Sequence, residues 1–427
     1  MLKSIKKKLN SDMGRDVIWT FTLQILIMVC SFVINKLLAS RLSIEDFGQY
    51  NVIKRSIQVL SFVMLAGVGI TLPRYIPIYR NSTPPRKIAP LLTASLIYII
   101  GISLIVILIS ILFSPTMQNI VIGEGNNQAL LFIALSYAFI LAIAQYTFAF
   151  YRGIGNFKWY NGTQLAMQLS IIIPLLLLPV LTIDKVFISW LIISIVIVAY
   201  LLSRELWSFI SKGGSFKSET PLTLHLNTII KYSSGRLIAD FFQYALAAFP
   251  LIYISNTHGL QPTAYFSVGI TFVTMITPFF SFMGIILLPY VSKAIARHEM
   301  TTANRIIQHL SLLYMGAATV IIIVLYLFTG YITTLLFASD YLVTTEITRI
   351  MILAIFPQAA YMLYRNVIDA ISIIPYNSFI LGICLVTMII SFNISTTLNH
   401  FAWSYLTISI LQGLLSWLTW MYFKKKL

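Results

Sequence analysis

The sequence predicts an all-α polytopic membrane protein with twelve transmembrane helices in two parallel six-helix repeats. The 427 residues are 58% hydrophobic and only 10% charged, and the mean hydropathy is +0.87. A soluble core cannot bury that much apolar surface, so the bilayer is the expected solvent. Twelve stretches approach the roughly 20 apolar residues that a membrane-crossing helix needs: 17–38, 53–77, 88–113, 128–151, 161–181, 184–203, 229–255, 264–291, 305–328, 344–364, 375–394 and 399–422.

The basic residues are distributed unevenly over the predicted loops, and this sets the orientation of the helices. Of the 29 basic residues, 22 lie at the two termini and in alternate loops, whereas 114–127 and 256–263 contain none. Lysine and arginine concentrate in the cytoplasmic loops of membrane proteins, so both termini are expected in the cytoplasm. The same distribution explains the net charge of +16 without a nucleic-acid partner.

Two helix pairs share one plan, which indicates an internal duplication. Residues 17–77 are predicted to form two striped helices joined by a short acidic loop, SIEDFGQY, and the plan returns at 229–291. A second set of stretches also repeats, with Tyr151-Arg152 matching Tyr364-Arg365 and Tyr160-Asn161 matching Tyr376-Asn377.

The longest polar stretch, 204–226, is predicted to be a cytoplasmic linker between an N-terminal lobe, 1–203, and a C-terminal lobe, 227–427. Glycine, proline and charged residues in this stretch favour a connection over a span. Each lobe then contains six spans. Because six is even, both lobes begin on the same side, and the repeats are related by an axis along the membrane normal.

Polar side chains recur at helical spacing in both helix pairs, so in each helix they share one face. Such a face is costly against lipid and is expected to meet protein or water. The predicted lining residues are Gln24, Asn35, Gln58, Gln243, Thr271 and Thr274. Hydrogen bonding between helices is the alternative explanation for each stripe, because it is common in membrane bundles.

Five charged residues lie within or beside these striped helices and carry the functional hypothesis: Lys36, Lys54, Arg55, Arg236 and Asp240. The four cations would form a patch that binds an anionic cargo, and Asp240 would sense a proton or a cation. Structural alternatives remain open. The aliphatic part of the Lys36 side chain can extend so that its ammonium group reaches the membrane–water interface. Lys54 and Arg55 can pair with nearby acids, and Arg236 can pair with Asp240 at i,i+4.

Motifs for other chemistry are missing from the sequence. There is no G-x-x-x-x-G-K-[ST] loop for ATP hydrolysis, and no paired cysteine or H-E-x-x-H motif for a metal, so no cofactor is expected. The predicted outer loops are short, which disfavours a membrane glycosyltransferase or ligase, since such an enzyme needs an ordered external surface. A cation-coupled exporter of small molecules remains as the second functional class.

Several stretches resemble polysaccharide flippases of the Wzx type, in the multidrug/oligosaccharidyl-lipid/polysaccharide exporter superfamily. They are LLASRLSIEDFGQYNVI, GVGITLPRYIP, YRGIGNFKWYN and, in the second half, GLQPTAYFSVGITFV. The resemblance implies two six-helix lobes that form a V around a cationic central cavity. It also implies alternating access at the bacterial cytoplasmic membrane.

The resemblance implies a cargo as well, an undecaprenyl-pyrophosphate-linked oligosaccharide such as an O-antigen repeat unit. By analogy Lys36, Lys54, Arg55 and Arg236 would meet the pyrophosphate or acidic sugars. A polysaccharide polymerase and a chain-length regulator are the further partners expected of such a flippase. Drug exporters of the superfamily often carry an acid within the first helix, whereas this chain has only Asp16 at its inner edge.

Overall fold

The computed structural model describes residues 12–82, 87–123, 127–211, 221–296, 300–372 and 375–426. Within these ranges the chain is helical with short turns, and no β-strand occurs there. The predicted all-α class is confirmed. The V shape and the twelve-span, two-repeat arrangement stay predictions.

The described ranges hold sixteen α-helices and one 3₁₀ helix, Ser339–Thr344. In chain order the α-helices are α1 Asp12–Arg41, α2 Ile44–Leu65, α3 Val68–Asn81, α4 Ala89–Leu112, α5 Ser114–Val121, α6 Gln128–Gly153, α7 Phe157–Leu177, α8 Ile183–Ser211, α9 Leu222–His258, α10 Leu260–Ala296, α11 Met300–Leu327, α12 Thr329–Leu336, α13 Thr345–Ile352, α14 Ile355–Ile371, α15 Tyr376–Ile394 and α16 Leu398–Lys426.

Every predicted apolar stretch lies on one of these helices or on a broken pair of them. By length and apolar composition, the described chain has eight helices that can cross a membrane, with α2 and α3 together counted as one, and nine if the bent pair Ser339–Ile352 and Ile355–Asp369 is also one span. The helices α7, α9 and α10 are not among them. Many apolar side chains on α4, α8 and α11 are exposed, as a lipid-facing surface requires. The chain is a multi-pass membrane protein.

The predicted acidic loop SIEDFGQY is wrong, because α2 begins at Ile44 and takes in all of that stretch except Ser43. The hydroxyl of Ser43 accepts a hydrogen bond of 3.1 Å from the backbone N–H of Asp46. Glu45 and Asp46 lie in the first turn, where carboxylates interact favourably with the helix dipole. A serine cap followed by acids is therefore a helix start rather than a loop.

The second predicted span is broken into α2 and α3 at Ala66 and Gly67, which both have positive φ, 50° and 76°. Just beyond the break, Pro73 lies inside α3 and cannot donate a hydrogen bond to the carbonyl of Gly69. Arg152 of α6 donates to that carbonyl instead, at 3.2 Å. The guanidinium thus satisfies a backbone group that proline leaves unpaired.

Contacts divide the chain into two compact units. Unit 1 consists of Met1–Leu42 and Val52–Leu237, and unit 2 of Ser43–Asn51 and Ile238–Leu427. The predicted boundaries at 203 and 227 stay a prediction, and residues 212–220 of the predicted linker lie outside the described residues.

Unit 1 is built from α1 packed on α7, α6 packed on α8, and α3 packed on α6. Arg41, at the end of α1, donates hydrogen bonds to three carbonyls where α7 ends: Leu175, Leu178 at 2.5 Å and Pro179 at 3.1 Å. The last carbonyls of a helix have no partner within it, so this arginine closes α7 and fixes it against α1.

Unit 2 packs α14 against α10, α11 and α16, with α15 also against α16. An aromatic core lies at the start of α2, where Phe47 is fully buried and its ring is 5.5 Å from that of Tyr341 and 6.1 Å from that of Phe337. The neighbouring Gly48 lies against the backbone of Leu260, where a Cβ would collide with the carbonyl oxygen.

One short series of elements occurs in both units, outside the stretches whose sequences repeat. Unit 1 contains a long helix, one phenylalanine and an eight-residue helix: α4, Phe113 and α5. Unit 2 contains the same series in α11, Phe328 and α12. The backbone N–H of each phenylalanine donates to the carbonyl four residues earlier, at 3.0 and 3.1 Å.

Candidate functional site

An ion pair within the helices of unit 2 is the first feature of the candidate site. Arg365 of α14 donates through Nη2 to Oδ1 of Asp240 on α9, at 3.2 Å. The two side chains are only 30% and 23% exposed. A charge buried this far costs free energy unless it is paired or hydrated. The ion pair therefore contributes more to holding α9 against α14 than an exposed surface pair would.

The same guanidinium also contacts the neighbouring polar residues. Gln243, one turn beyond Asp240 on α9, accepts at 3.2 Å from the hydroxyl of Tyr361 and at 3.5 Å from Nη1 of Arg365. Tyr361 precedes Arg365 by one turn, and its ring centre is 6.0 Å from the guanidinium carbon. Asp240 and Gln243, two members of the predicted stripe of α9, are therefore hydrogen-bonded to side chains of α14.

A second carboxylate lies on the other side of Arg365. Oδ2 of Asp369 is 4.0 Å from Nε of Arg365. Asn377 of α15 donates to Oδ1 of Asp369 at 2.7 Å and to the carbonyl of Arg365 at 3.1 Å. We call Asp240, Gln243, Tyr361, Arg365, Asp369 and Asn377 the polar cluster of unit 2. Its arginine lies between two acids that belong to different helices.

Two predicted lining residues of α1 lie in unit 1. Gln24 donates through Nε2 to Oε1 of Gln164 on α7, at 3.4 Å, which is the interhelical hydrogen bond that the structural alternative foresees. Asn35 is only 6% exposed, and its side-chain oxygen accepts no hydrogen bond from the described residues. An unpaired buried amide oxygen is rare and costly, so Asn35 is the stronger candidate of the two for contact with water or cargo.

The predicted cations of unit 1 are Lys36 on α1 and Lys54 and Arg55 on α2, and all three are half-buried. Arg55 donates through Nη1 to Oε1 of Gln58, one turn later, at 3.5 Å. A predicted cation and a predicted lining residue thus lie together on α2. Their contact with an anion stays a prediction.

The remaining predicted residues are on α9 and α10. Arg236 lies in α9, but its side chain is outside the described residues, so its pairing with Asp240 stays a prediction. Thr271 and Thr274 of α10 donate to carbonyls of their own helix, at 2.8 and 3.3 Å. Both threonines satisfy their hydroxyls locally, as serine and threonine do in helices that have few polar neighbours.

Sequence reasoning missed Arg365, which it counted among the basic loop residues that set orientation. Within α14, Tyr361, Arg365 and Asp369 are four residues apart and share one face, which was the available signal. The duplicated stretch gave no help. Arg152, which matches Arg365 in that stretch, is exposed, and among the described residues its hydrogen bond is to a backbone carbonyl.

Comparison with known families gives a match over most of this chain. The model of a family described as polysaccharide biosynthesis protein matches residues 13–295. These residues run from α1 to the end of α10 and include all eleven predicted site residues. No curated protein sequence matches the chain.

Solved transporters share the fold. The lipid II flippase MurJ, in an inward closed conformation, superposes with a TM-score of 0.71 at 15% identity, over 95% of this chain and 87% of that one. An inward-facing multidrug resistance MATE family transporter gives 0.69 at 13% identity, over 94% of both chains. A MOP superfamily transporter from Pyrococcus furiosus gives 0.62 at 14% identity, over 96% and 94%. Identities this low show a shared fold and nothing finer.

Proposed function

The chain belongs to the polysaccharide biosynthesis protein family, and on that premise we propose that it moves an undecaprenyl-pyrophosphate-linked oligosaccharide across the bacterial cytoplasmic membrane. The transport runs by alternating access, and an O-antigen repeat unit is the expected type of cargo. The family match over residues 13–295 is the observation that carries this proposal. The fold supports it, since it is shared with a lipid II flippase.

A pyrophosphate-linked cargo requires cations along its path. Lys36, Lys54, Arg55 and Arg236 are the proposed contacts for the pyrophosphate or for acidic sugars. Charge-assisted hydrogen bonds to phosphate are about twice as strong as neutral ones, and arginine can make two in parallel. The half-buried state of Lys36, Lys54 and Arg55 supports this role, because partial burial strengthens their attraction for an anion.

Asp240 is the proposed coupling residue. Its carboxylate lies 3.2 Å from the guanidinium of Arg365, so a proton or a cation that reached Asp240 would weaken that ion pair. The pair joins two helices, and its loss would weaken the contact between α9 and α14, leaving the hydrogen bond between Tyr361 and Gln243. A local charge change of this kind can bias a two-state element.

The cargo can be tested in a bacterial strain that lacks this gene. Lipid-linked oligosaccharide should remain in the inner leaflet and return outside when the chain is restored. We expect Lys36→Glu and Lys54→Glu to reduce this rescue about tenfold or more, because a hydrogen bond to a charged group contributes about 1.5–3 kcal/mol. Lys158→Glu, at an exposed position on α7, is the matched control and should rescue fully.

The alternative class has a distinct outcome. If the purified protein moved a dye or drug in proteoliposomes under an ion gradient, and the mutant strain had a normal distribution of lipid-linked sugar, the chain would be an exporter of small molecules. Full rescue by both charge-reversal variants would instead leave the flippase proposal standing and reject the cationic contacts.

A further inference from the structure

A groove on unit 2 has no residue of the polar cluster in its lining and has no role in the function proposed above. Its volume is about 340 Å³, and it is lined by α11, Tyr364 of α14 and the last turns of α16. That volume lies at the lower end of the roughly 300–1,000 Å³ typical of small-molecule sites. The groove is large enough for part of a lipid molecule but not for a folded protein segment.

The first turns of α11 and the last turns of α16 lie at the same end of unit 2. Ser311, early in α11, is 3.1 Å from the hydroxyl of Tyr364, late in α14. Tyr326, at the end of α11, lies 5.2 Å from the guanidinium carbon of Arg349 on α13, which precedes α14. Hence α11 runs opposite to α14, and the start of α11 lies where α14 ends.

The end of α16 lies at this same level. The ring of Phe423, near the end of α16, is 5.3 Å from the ring of Tyr376, the first residue of α15. Because α15 follows α14 after a short connection, the end of α16 lies beside the end of α14. Gln308 of α11 and Lys424 of α16 therefore lie at the same end of the groove.

The polar side chains of the lining lie toward one end of the groove, beside the apolar Ile307 and Met421, and the other end is apolar. Gln308 and Lys424 stand at one end, and Met315 and Trp417 stand seven residues further along their helices, which is about 10 Å at 1.5 Å per residue. The Ser311 and Tyr364 hydroxyls lie between these levels. A phospholipid likewise has a charged phosphate at one end and an apolar acyl chain that begins within about this distance.

The surroundings are those of a membrane–water interface. Tryptophan is enriched at headgroup level, and both Trp417 and Trp420 line the groove. Leu312, also in the lining, is 76% exposed, and only 11% of the most apolar window of α11 is buried. Three consecutive lysines, Lys424 first, directly precede the last residue of the sequence, and such clusters next to a membrane helix attract anionic lipids.

We propose that this groove binds one anionic phospholipid, with its phosphate at Lys424 and Gln308 and an acyl chain along Met315, Trp417 and Trp420. Charge complementarity at one end and the apolar, tryptophan-containing surface at the other select this occupant. The bound lipid fixes α11 against α16 at the basic end of unit 2. This lipid is distinct from the transported molecule, whatever that molecule is.

Fluorescence quenching tests the proposal on the full chain in nanodiscs. Brominated phosphatidylglycerol should quench the emission more than brominated phosphatidylcholine does at equal mole fraction. The chain has seven tryptophans, so Trp417→Phe and Trp420→Phe identify the signal, and each should lower the quenched fraction. Equal quenching by both lipids, or quenching that neither substitution changes, would overturn the proposal.

The lysine is tested in the same assay. Lys424→Gln should weaken the preference for phosphatidylglycerol about fivefold, since a basic residue near an anionic surface contributes about that factor. Lys424→Arg should restore it, and the exposed Lys158→Gln of unit 1 should leave it unchanged. An unaltered preference in Lys424→Gln counts against the site. Displacement by undecaprenyl pyrophosphate at a far lower mole fraction than by phosphatidylglycerol would reassign the groove to that lipid.

Discussion

Arg365 connects three helices of unit 2, since it contacts Asp240 on α9 and Asp369 on its own helix, and its carbonyl accepts from Asn377 on α15. Removing one member of such a pair leaves the opposite charge in a helical interior, and the cost exceeds that of the lost contact. Because the pair is partly exposed, water reduces that cost. The pair is therefore a moderate but specific tie between α9 and α14.

We expect Arg365→Gln to destabilise the protein by about 1–3 kcal/mol, the cost of an unpaired charged group. Asp240→Asn alone should cost a similar amount, and the double variant should cost less than the sum, because neither charge is then stranded. The apparent melting temperature in detergent measures this. Arg152→Gln is the matched control, since that exposed arginine donates to a single carbonyl, and its loss should cost less.

Strict additivity in this cycle would show that Asp240 and Arg365 do not depend on each other. The same variants also test the coupling role in cells. If Asp240→Asn alone abolishes transport while the protein stays folded, a proton or cation at Asp240 is the simplest cause. Normal transport by the double variant would reject that role.

At the residue level the sequence predicted which helices carry charge, but not which charges meet. Asp240 and Gln243 were found from their spacing on one helix. Arg365, the partner of Asp240 in the ion pair, lies 125 residues further along the sequence. Periodicity within a helix reports a shared face and carries no information about the facing helix. Arg365 also directly follows the predicted span 344–364, and a basic residue at the end of a span usually indicates only orientation.

Among the elements, the α2–α3 break depends most on one residue. Gly67 has φ of 76°, a conformation that costs other residues about 1–2 kcal/mol. A Cβ there would also lie 2.8 Å from Cβ of Ser233 on α9. The hydroxyls of Thr71 and Ser233 are 2.9 Å apart, so α3 and the start of α9 approach closely at this glycine.

Gly67→Ala is expected to destabilise unit 1 by more than the conformational cost alone, hence by about 2 kcal/mol or more. Gly101→Ala is the control. That glycine lies within α4 with no atom near its Cβ position, so alanine should stabilise the helix by about 0.5–1 kcal/mol. Thermal unfolding of the two variants separates these cases. A neutral Gly67→Ala would mean that the break can straighten.

The sequence predicted the long helices well because apolar runs of this length have few other structures available in lipid. The sequence did not predict the breaks at Gly67 and between α13 and α14. Both breaks lie inside apolar stretches, for which hydropathy alone predicts one continuous span. The start of α2 was missed for the opposite reason. Its first turns are polar, and Ser43 with the two following acids was read as a loop instead of a cap.

On the scale of the whole molecule, composition decides the class and leaves the number of crossings open. Twelve spans were predicted, whereas eight or nine helices of the described chain meet the criteria of length and hydropathy. The difference lies in α7, α9 and α10. Of these, α9 and α10 carry predicted polar stripes, and several of their side chains lie outside the described residues. Polar residues are tolerated in a membrane helix that lines a water-filled path. A helix that does not meet the hydropathy criterion can therefore still cross the membrane.

The parity of the crossings gives a direct test. With twelve spans both termini lie in the cytoplasm, whereas nine would put them on opposite sides. If α9 and α10 both cross, a reporter at Gly259, between them, faces outward, and one at Gly155, between α6 and α7, faces inward. Fusions to alkaline phosphatase, active only outside, and to green fluorescent protein, fluorescent only inside, distinguish these positions.

We expect phosphatase activity at Gly259 and fluorescence at Gly155 and at the C-terminus. A fluorescent fusion at Gly259 would mean that α9 does not cross the membrane. The charged residues of the polar cluster would then not lie within the bilayer, and the free-energy cost of burying them there would not apply. An outward C-terminus would give an odd number of crossings. The positive-inside arrangement of the basic residues would then have to be abandoned, because three lysines would end on the outer face.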